Sequence, residues 1–258
     1  MRFGMPTLLE LNGVEDCAKL CAELGLDFIE LNMNLPQYQL GNIDVSLLNS
    51  IAEKYGINYT IHLDENANFS DFNLYVANAY LQTVKDTIEI SKRLNANIIN
   101  MHLSKGVYFT LPDKKVYLFE KYLDAYLGSI ATFRDICENA AGDCGLTICI
   151  ENTNGYESFQ LKAIEILLQS KTFALTFDIG HSYAARDCDE KFILSNANRL
   201  RHFHIHDATR CRDHLTLGEG EINIRKYLDL ANRLGASAVV ETKTVDSLRK
   251  SCAVVKEF

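Results

Sequence analysis

The sequence predicts an α/β protein, a single-domain (β/α)8 barrel, and three observations carry that prediction. Short apolar runs alternate from end to end with longer stretches of helical spacing, the order expected of strand–helix units. Eight such units fit the 258 residues, close to the roughly 250 of a typical eight-stranded barrel. Gly25, Gly56, Gly145 and Gly235 each stand between a predicted helix and the next strand, where the left-handed conformation open to glycine ends a helix. Alternation of this kind favours a parallel sheet covered on both faces. No GxGxxG follows the first strand, which weighs against an open dinucleotide-binding sheet. Residues 1–258 are read as one domain, with no low-complexity segment or proline-rich hinge.

In chain order, strands are expected at Phe3–Leu8, Phe28–Asn32, Asn58–His62, Ile98–His102, Leu146–Glu151, Phe173–Asp178, His202–His206 and Ala238–Glu241. Helices are expected at Val14–Leu24, Val45–Tyr55, Leu74–Leu94, Val116–Ala141, Phe159–Leu168, Ile224–Leu234 and Val245–Val255. Their apolar faces step by three and four residues. Leu74, Ala77, Leu81, Val84, Ile88 and Leu94 mark one such face; Leu118, Tyr122, Ala125, Ser129, Thr132 and Ile136 mark another. The segment Ser104–Lys115, with Tyr108 and Phe109, is read as a lid over one end of the barrel.

Composition narrows the function. Hydrophobic content of 47% and charged content of 23% are ordinary globular values. A net charge of −8 and a pI near 5.4 argue against a nucleic-acid partner. The eight cysteines form no CxxC pair and no regular framework, so reduced, buried thiols in a cytoplasmic protein are expected. No apolar run approaches the about 18 residues that would span a membrane. A homo-oligomer is left open.

Chemistry is concentrated at strand ends. Glu151, Asp178, His206 and Glu241 each close an apolar run, and the runs recur at the spacing of one strand-plus-helix unit. His62 and His102 close the third and fourth strands; His181 and His214 lie in segments just beyond strands. His202, His204 and His206 share one strand face by alternation, and that face is expected to point into the barrel. Cys149, two residues before Glu151, is expected deeper, in the core. At the C-terminal ends of parallel strands these groups would meet at one mouth. Several carboxylates buried together are costly without a cation. Mixed Asp, Glu and His donors suit Mn²⁺, Co²⁺, Zn²⁺ or Fe²⁺, with Mg²⁺ where carboxylates dominate.

With these residues in place, the chain resembles the xylose isomerase-like TIM barrels. The resemblance runs over nearly the whole chain. It is most specific at Ile150-Glu151-Asn152, Phe177-Asp178-Ile179-Gly180-His181, Phe203-His204-Ile205-His206-Asp207 and His214-Leu215-Thr216-Leu217-Gly218-Glu219-Gly220, with Glu241 completing the pattern. In the sugar epimerase branch, the resemblance implies one divalent metal held by Glu151, Asp178, His204 and Glu241. The two glutamates would be acid and base for proton transfer through an enediolate. His181 would orient substrate or bridge a second metal, and Arg212 would neutralise the enediolate or a substrate phosphate. Substrate would be a sugar or sugar phosphate, with one to three metal ions per chain.

The alternative branch, the apurinic-site endonucleases, implies a larger ligand set of His62, His102, Glu151, Asp178, His181, His204, His214 and Glu241. The sequence departs from that branch at Arg212, where the pattern has an aspartate; Asp213 is adjacent. The acids of Leu63-Asp64-Glu65-Asn66 are poor company for a DNA backbone. A dehydratase of a cyclic polyol would use the same site, and a non-catalytic binding barrel is a further rival. Glu30 matches a common position of these barrels. Leu217–Gly220 reads as a tight turn into the next helix, and Asn152 and Lys243 are placed to contact substrate.

Overall fold

The computed structural model describes residues 1–257. Eight parallel strands close into a barrel: β1 (Phe3–Pro6), β2 (Phe28–Asn32), β3 (Asn58–His62), β4 (Ile98–His102), β5 (Thr147–Glu151), β6 (Phe173–Asp178), β7 (Leu200–Ile205) and β8 (Ser237–Val240). Each strand pairs with its neighbours in sequence, and β8 returns to β1. Helices cover the outside: α1 (Val14–Leu24), α2 (Val45–Tyr55), α3 (Leu74–Leu94), α4 (Leu118–Lys121), α5 (Leu123–Ala141), α6 (Ser158–Leu167), α7 (Ile179–Ala184), α8 (Glu190–Ser195), α9 (Ile224–Leu234) and α10 (Val245–Val255). Gly25, Gly56 and Gly235 close α1, α2 and α9 in the left-handed conformation, as the sequence predicts.

Alternation along the strands separates two interiors. Outward residues such as Ile148, Ile150, Phe173, Phe177 and Phe203 join the large core between barrel and helices. There Phe133 of α5 stacks on Phe69 at 3.5 Å, and Tyr227 of α9 meets Phe177 edge-on at 5.4 Å. Inward residues form a small apolar floor of Ile98, Cys149 and Ala174. Phe28 also points inward, and only a glycine at position 4 leaves room for its ring. Above that floor the barrel interior is polar.

One irregularity sets the face of β7. Leu175 pairs with Leu200, but Thr176 pairs with His202, so Arg201 is an extra residue on the β7 side. This bulge leaves Arg201 exposed and puts His202 and His204 on the inner face.

Several expectations are corrected. The predicted helix Val116–Ala141 is interrupted: Lys115–Tyr117 is a strand, and Tyr122 (φ −113°, ψ 49°) separates α4 from α5. Its predicted apolar face is also displaced, because Tyr126, Ile130, Phe133, Cys137 and Ala141 are the buried residues of α5. They are selected by the aromatic partners they meet, Phe69 and Phe173 at Phe133 and Phe119 at Tyr126. The Ser104–Lys115 segment contributes to a β-hairpin, Tyr108–Thr110 against Lys115–Tyr117, with Tyr108 and Phe109 exposed. At its base Gly106 (φ 66°) lies so close to the Phe119 ring that a side chain there would clash. All eight cysteines are free, and five are buried, Cys149 among them.

Candidate metal centre

The C-terminal ends of the strands enclose a cavity of about 250 Å³. Its walls include His62, His102, Glu151, His181, His214 and Glu241, with Glu65 and Lys243 at the rim. A larger cavity of about 330 Å³ lies elsewhere, walled by residues such as Val14, Tyr38, Leu48 and Ile51. The chemistry belongs to the mouth, where titratable groups converge and where barrels of this topology place their sites.

Glu151, Asp178, His204 and Glu241 come together: one ligand atom from each lies within 4.8 Å of the others. His204 Nδ1 is 2.8 Å from Glu241 Oε2, 3.2 Å from Glu151 Oε1 and 3.9 Å from Asp178 Oδ2. Strand register explains the meeting, because Asp178 is the direct partner of His204 and His102 of Glu151. Two further groups flank this one. His62 Nε2 and His102 Nε2 stand 3.4 and 3.2 Å from Glu151 Oε2. On the other side, His181, His206 and His214 bring a nitrogen each within 4.8 Å of one another.

The donor set fits a divalent cation. His204 Nδ1 and Glu241 Oε2 are buried without a hydrogen bond, an arrangement that a shared ion would satisfy. Burial alone would raise the Glu151 and Glu241 carboxyls, but the His204 imidazole overcomes it in both, and His102 adds to the effect on Glu151. Both are held well below the ordinary carboxylate range. Burial likewise opposes protonation of His204 and His62, yet the surrounding carboxylates win. His204 is held well above an ordinary imidazole, and His62 is raised to about 9, mainly by Glu151. Burial and then His206 push His214 down to about 4, so that ring is neutral.

Neighbouring groups orient these side chains. His62 Nδ1 is 2.9 Å from the Leu63 carbonyl, which leaves Nε2 facing Glu151. Asp178 Oδ1 accepts the His181 N–H at 2.7 Å and caps α7, while Oδ2 is 3.1 Å from His206 Nε2. His206 Nδ1 accepts the backbone N–H of His214 at 2.8 Å, which leaves the His206 proton on Nε2. Only glycine at position 180 makes space for the His206 ring. Asn100 was not foreseen. It donates to Glu151 Oε2 and accepts from Thr176 Oγ1 at 2.5 Å. Its signal in the sequence is its place two residues before His102, on the same inward face.

Arg212 does not reach the mouth. His214 has a positive φ of 52°, which breaks strand alternation in the Arg212–Leu215 hairpin arm. Asp213 and His214 both turn toward the centre, with Asp213 Oδ2 3.2 Å from His181 Nδ1, and Arg212 is exposed. Asn152 is also relocated from substrate contact to scaffolding, since its side-chain amide pairs with both backbone groups of Asp178 at 2.8 and 2.9 Å. Lys243 does stand at the rim, its ammonium 2.8 Å from Glu241 Oε1.

A closed parallel eight-stranded barrel with carboxylates and imidazoles gathered at its C-terminal mouth defines a class of (β/α)8 barrel proteins with groups that could hold a cation. Within that class, the chain belongs to the xylose isomerase-like TIM barrel family, whose family model matches residues 18–258. It is 26% identical over 269 residues to the uncharacterized protein MJ1614 of Methanocaldococcus jannaschii, covering 100% of this chain and 99% of that one. The structure superposes on a D-tagatose 3-epimerase-like protein with a TM-score of 0.81 and 23% identity, covering 100% of this chain and 96% of the other. It matches the 3-keto-D-glucoside 4-epimerase of E. coli equally well, with a TM-score of 0.81, 15% identity and complete coverage of both chains. At these identities the structural matches establish the fold.

Proposed function

We propose that the protein is a divalent-metal-dependent sugar isomerase or epimerase. The observation that carries this reading is the convergence of Glu151, Asp178, His204 and Glu241, two of them glutamates on separate strands, at a mouth large enough for a sugar. The fold shared with a D-tagatose 3-epimerase-like protein and a 3-keto-D-glucoside 4-epimerase supports the same reaction class. A cation held by these four residues supplies Lewis acidity to the carbonyl and hydroxyl oxygens of a hydroxyketone. Glu151 and Glu241, both held in the carboxylate form, are then a base and its counterpart. One, as a carboxylate, takes the carbon-bound proton and later releases it to solvent; the other, approaching from a different strand, first gains a proton from solvent and returns it to the enediolate. Glu65 at the rim, fixed to Asn34 by hydrogen bonds of 2.9 and 3.1 Å, accepts from substrate hydroxyls. Lys243 is the one lysine or arginine among the described residues lining the mouth, and it offers its charge to an oxyanion.

Incubating Mn²⁺-loaded protein with ketoses and ketose phosphates in D2O tests the proposal. Incorporation of deuterium beside the carbonyl is expected. A second reading, metal-dependent hydrolysis at abasic DNA, draws on the two flanking histidine groups, which add ligands beyond those a single ion needs. The carboxylate of Glu65 at the mouth, poor company for a phosphate backbone, disfavours it. Cleavage of abasic duplex without any exchange into sugars would reverse the ranking.

A further inference from the structure

Directly below the four-residue set lies a buried polar chain that no step of the proposed chemistry uses. Glu30 is 3% exposed, His202 0% and His204 1%, so water does not reach them freely. Ser237 Oγ is 2.7 Å from His202 Nδ1. His202 Nε2 is 3.1 Å from Glu30 Oε2, which also accepts from Thr60 Oγ1 at 3.1 Å. The other Glu30 oxygen, Oε1, lies 2.9 Å from His204 Nε2. Register fixes the chain, since Glu30 pairs with Thr60 and His202 with Ser237.

His204 therefore has two different sides. Its Nδ1 faces Glu151, Asp178 and Glu241. Its Nε2 faces Glu30 Oε1 at an ion-pair distance of 2.9 Å. A neutral imidazole carries one proton, and a carboxylate beside one nitrogen keeps the proton there and frees the other lone pair. Both Glu30 oxygens are engaged, Oε2 by Thr60 and His202 and Oε1 by His204.

We propose that Glu30 is a positioning residue: it holds the His204 proton on Nε2 and aims Nδ1 at the cation, while Thr60 and the His202–Ser237 pair hold Glu30 in turn. This inference rests on the reading that His204 is a metal ligand. It predicts that Glu30 governs how tightly the ion is held, rather than whether the barrel folds.

The test measures Mn²⁺ or Co²⁺ affinity by chelator competition, in the full chain, for wild type and Glu30→Gln. The variant is expected to bind about 10–100-fold more weakly with unchanged stoichiometry. The absorption bands of its bound Co²⁺ should shift, and Glu30→Asp should recover part of the affinity. Equal affinities and identical spectra in wild type and E30Q overturn the proposal. Loss of a whole equivalent of ion in E30Q also overturns it, because Glu30 would then be a ligand. Wild type that binds no ion instead refutes the metal centre itself. If E30Q does not fold, Ser237→Ala removes the hydrogen bond to His202 and leaves every ligand in place. It should weaken binding in the same direction, and an unchanged affinity counts against the relay.

Discussion

At the residue scale, Glu151 and Glu241 carry the heaviest assignment. Replacing either by Gln keeps the shape and removes the base, so turnover should fall by about 10²–10⁴-fold. Comparing steady-state rates at saturating Mn²⁺ checks this, and near-wild-type turnover would remove the acid–base assignment. The imidazoles give a pH signature. His62 and His204 have raised affinities for protons in the metal-free fold. A raised histidine contributes stability that is complete below its unfolded value, near 6.5, and is lost as pH rises through the folded value, about 9 for His62. The cation needs the His204 ring neutral and is repelled by a protonated His62 beside Glu151, so protons and ion compete. The gain in melting temperature on adding Mn²⁺ should therefore grow from pH 6 to pH 8.5. A constant or shrinking gain would show that His204 does not bind the ion. Most of this constellation was legible in the sequence, since inward strand positions follow from counting by two. Asp213 and Arg212 were not separable by counting, because the positive φ at His214 breaks the parity on which counting depends.

At the scale of elements, the loop after β7 shows a motif that serves structure rather than chemistry. The Asp207 carboxylate, 1% exposed, accepts four backbone N–H groups, from Ala208, Gly218, Gly220 and Ile222, at 2.9–3.1 Å. A side chain at position 220 would run into it, which accounts for that glycine in the Leu217–Gly220 turn. Asp207→Ala should cost about 3 kcal/mol or more, because it orphans buried donors that were paired to a charge. Urea unfolding of the metal-free protein measures the cost, and a loss below about 1 kcal/mol would mean the loop has other support. The regular elements were legible because strand and helix periods differ so clearly. The short ones were not: α7 owes its start to Asp178, a residue whose sequence context reads as a strand end. The buried face of α5 depends on which aromatic rings the barrel presents, and that is information held by other segments of the chain.

At the scale of the whole molecule, the floor of the barrel is apolar and the mouth is charged, so the two halves of one interior obey different rules. The floor needs no partner. The mouth gathers carboxylates and imidazoles whose pairing with one another is incomplete. Mn²⁺ at 100 times its dissociation constant should add about 2.7 kcal/mol to stability. For a chain of this size that is a rise of roughly 5–10 °C in melting temperature. Calorimetry with and without a chelator reads the difference, and equal curves would mean that no ion binds the native state. The bulge in β7 has a separate consequence for how such a gene can change. Arg201 does no chemistry, yet its presence decides which way the following imidazoles face. Substituting that codon should be harmless, whereas deleting it would swap inside for outside along the strand. Drift in this lineage is thus free to rewrite the letter at position 201 but not to drop it.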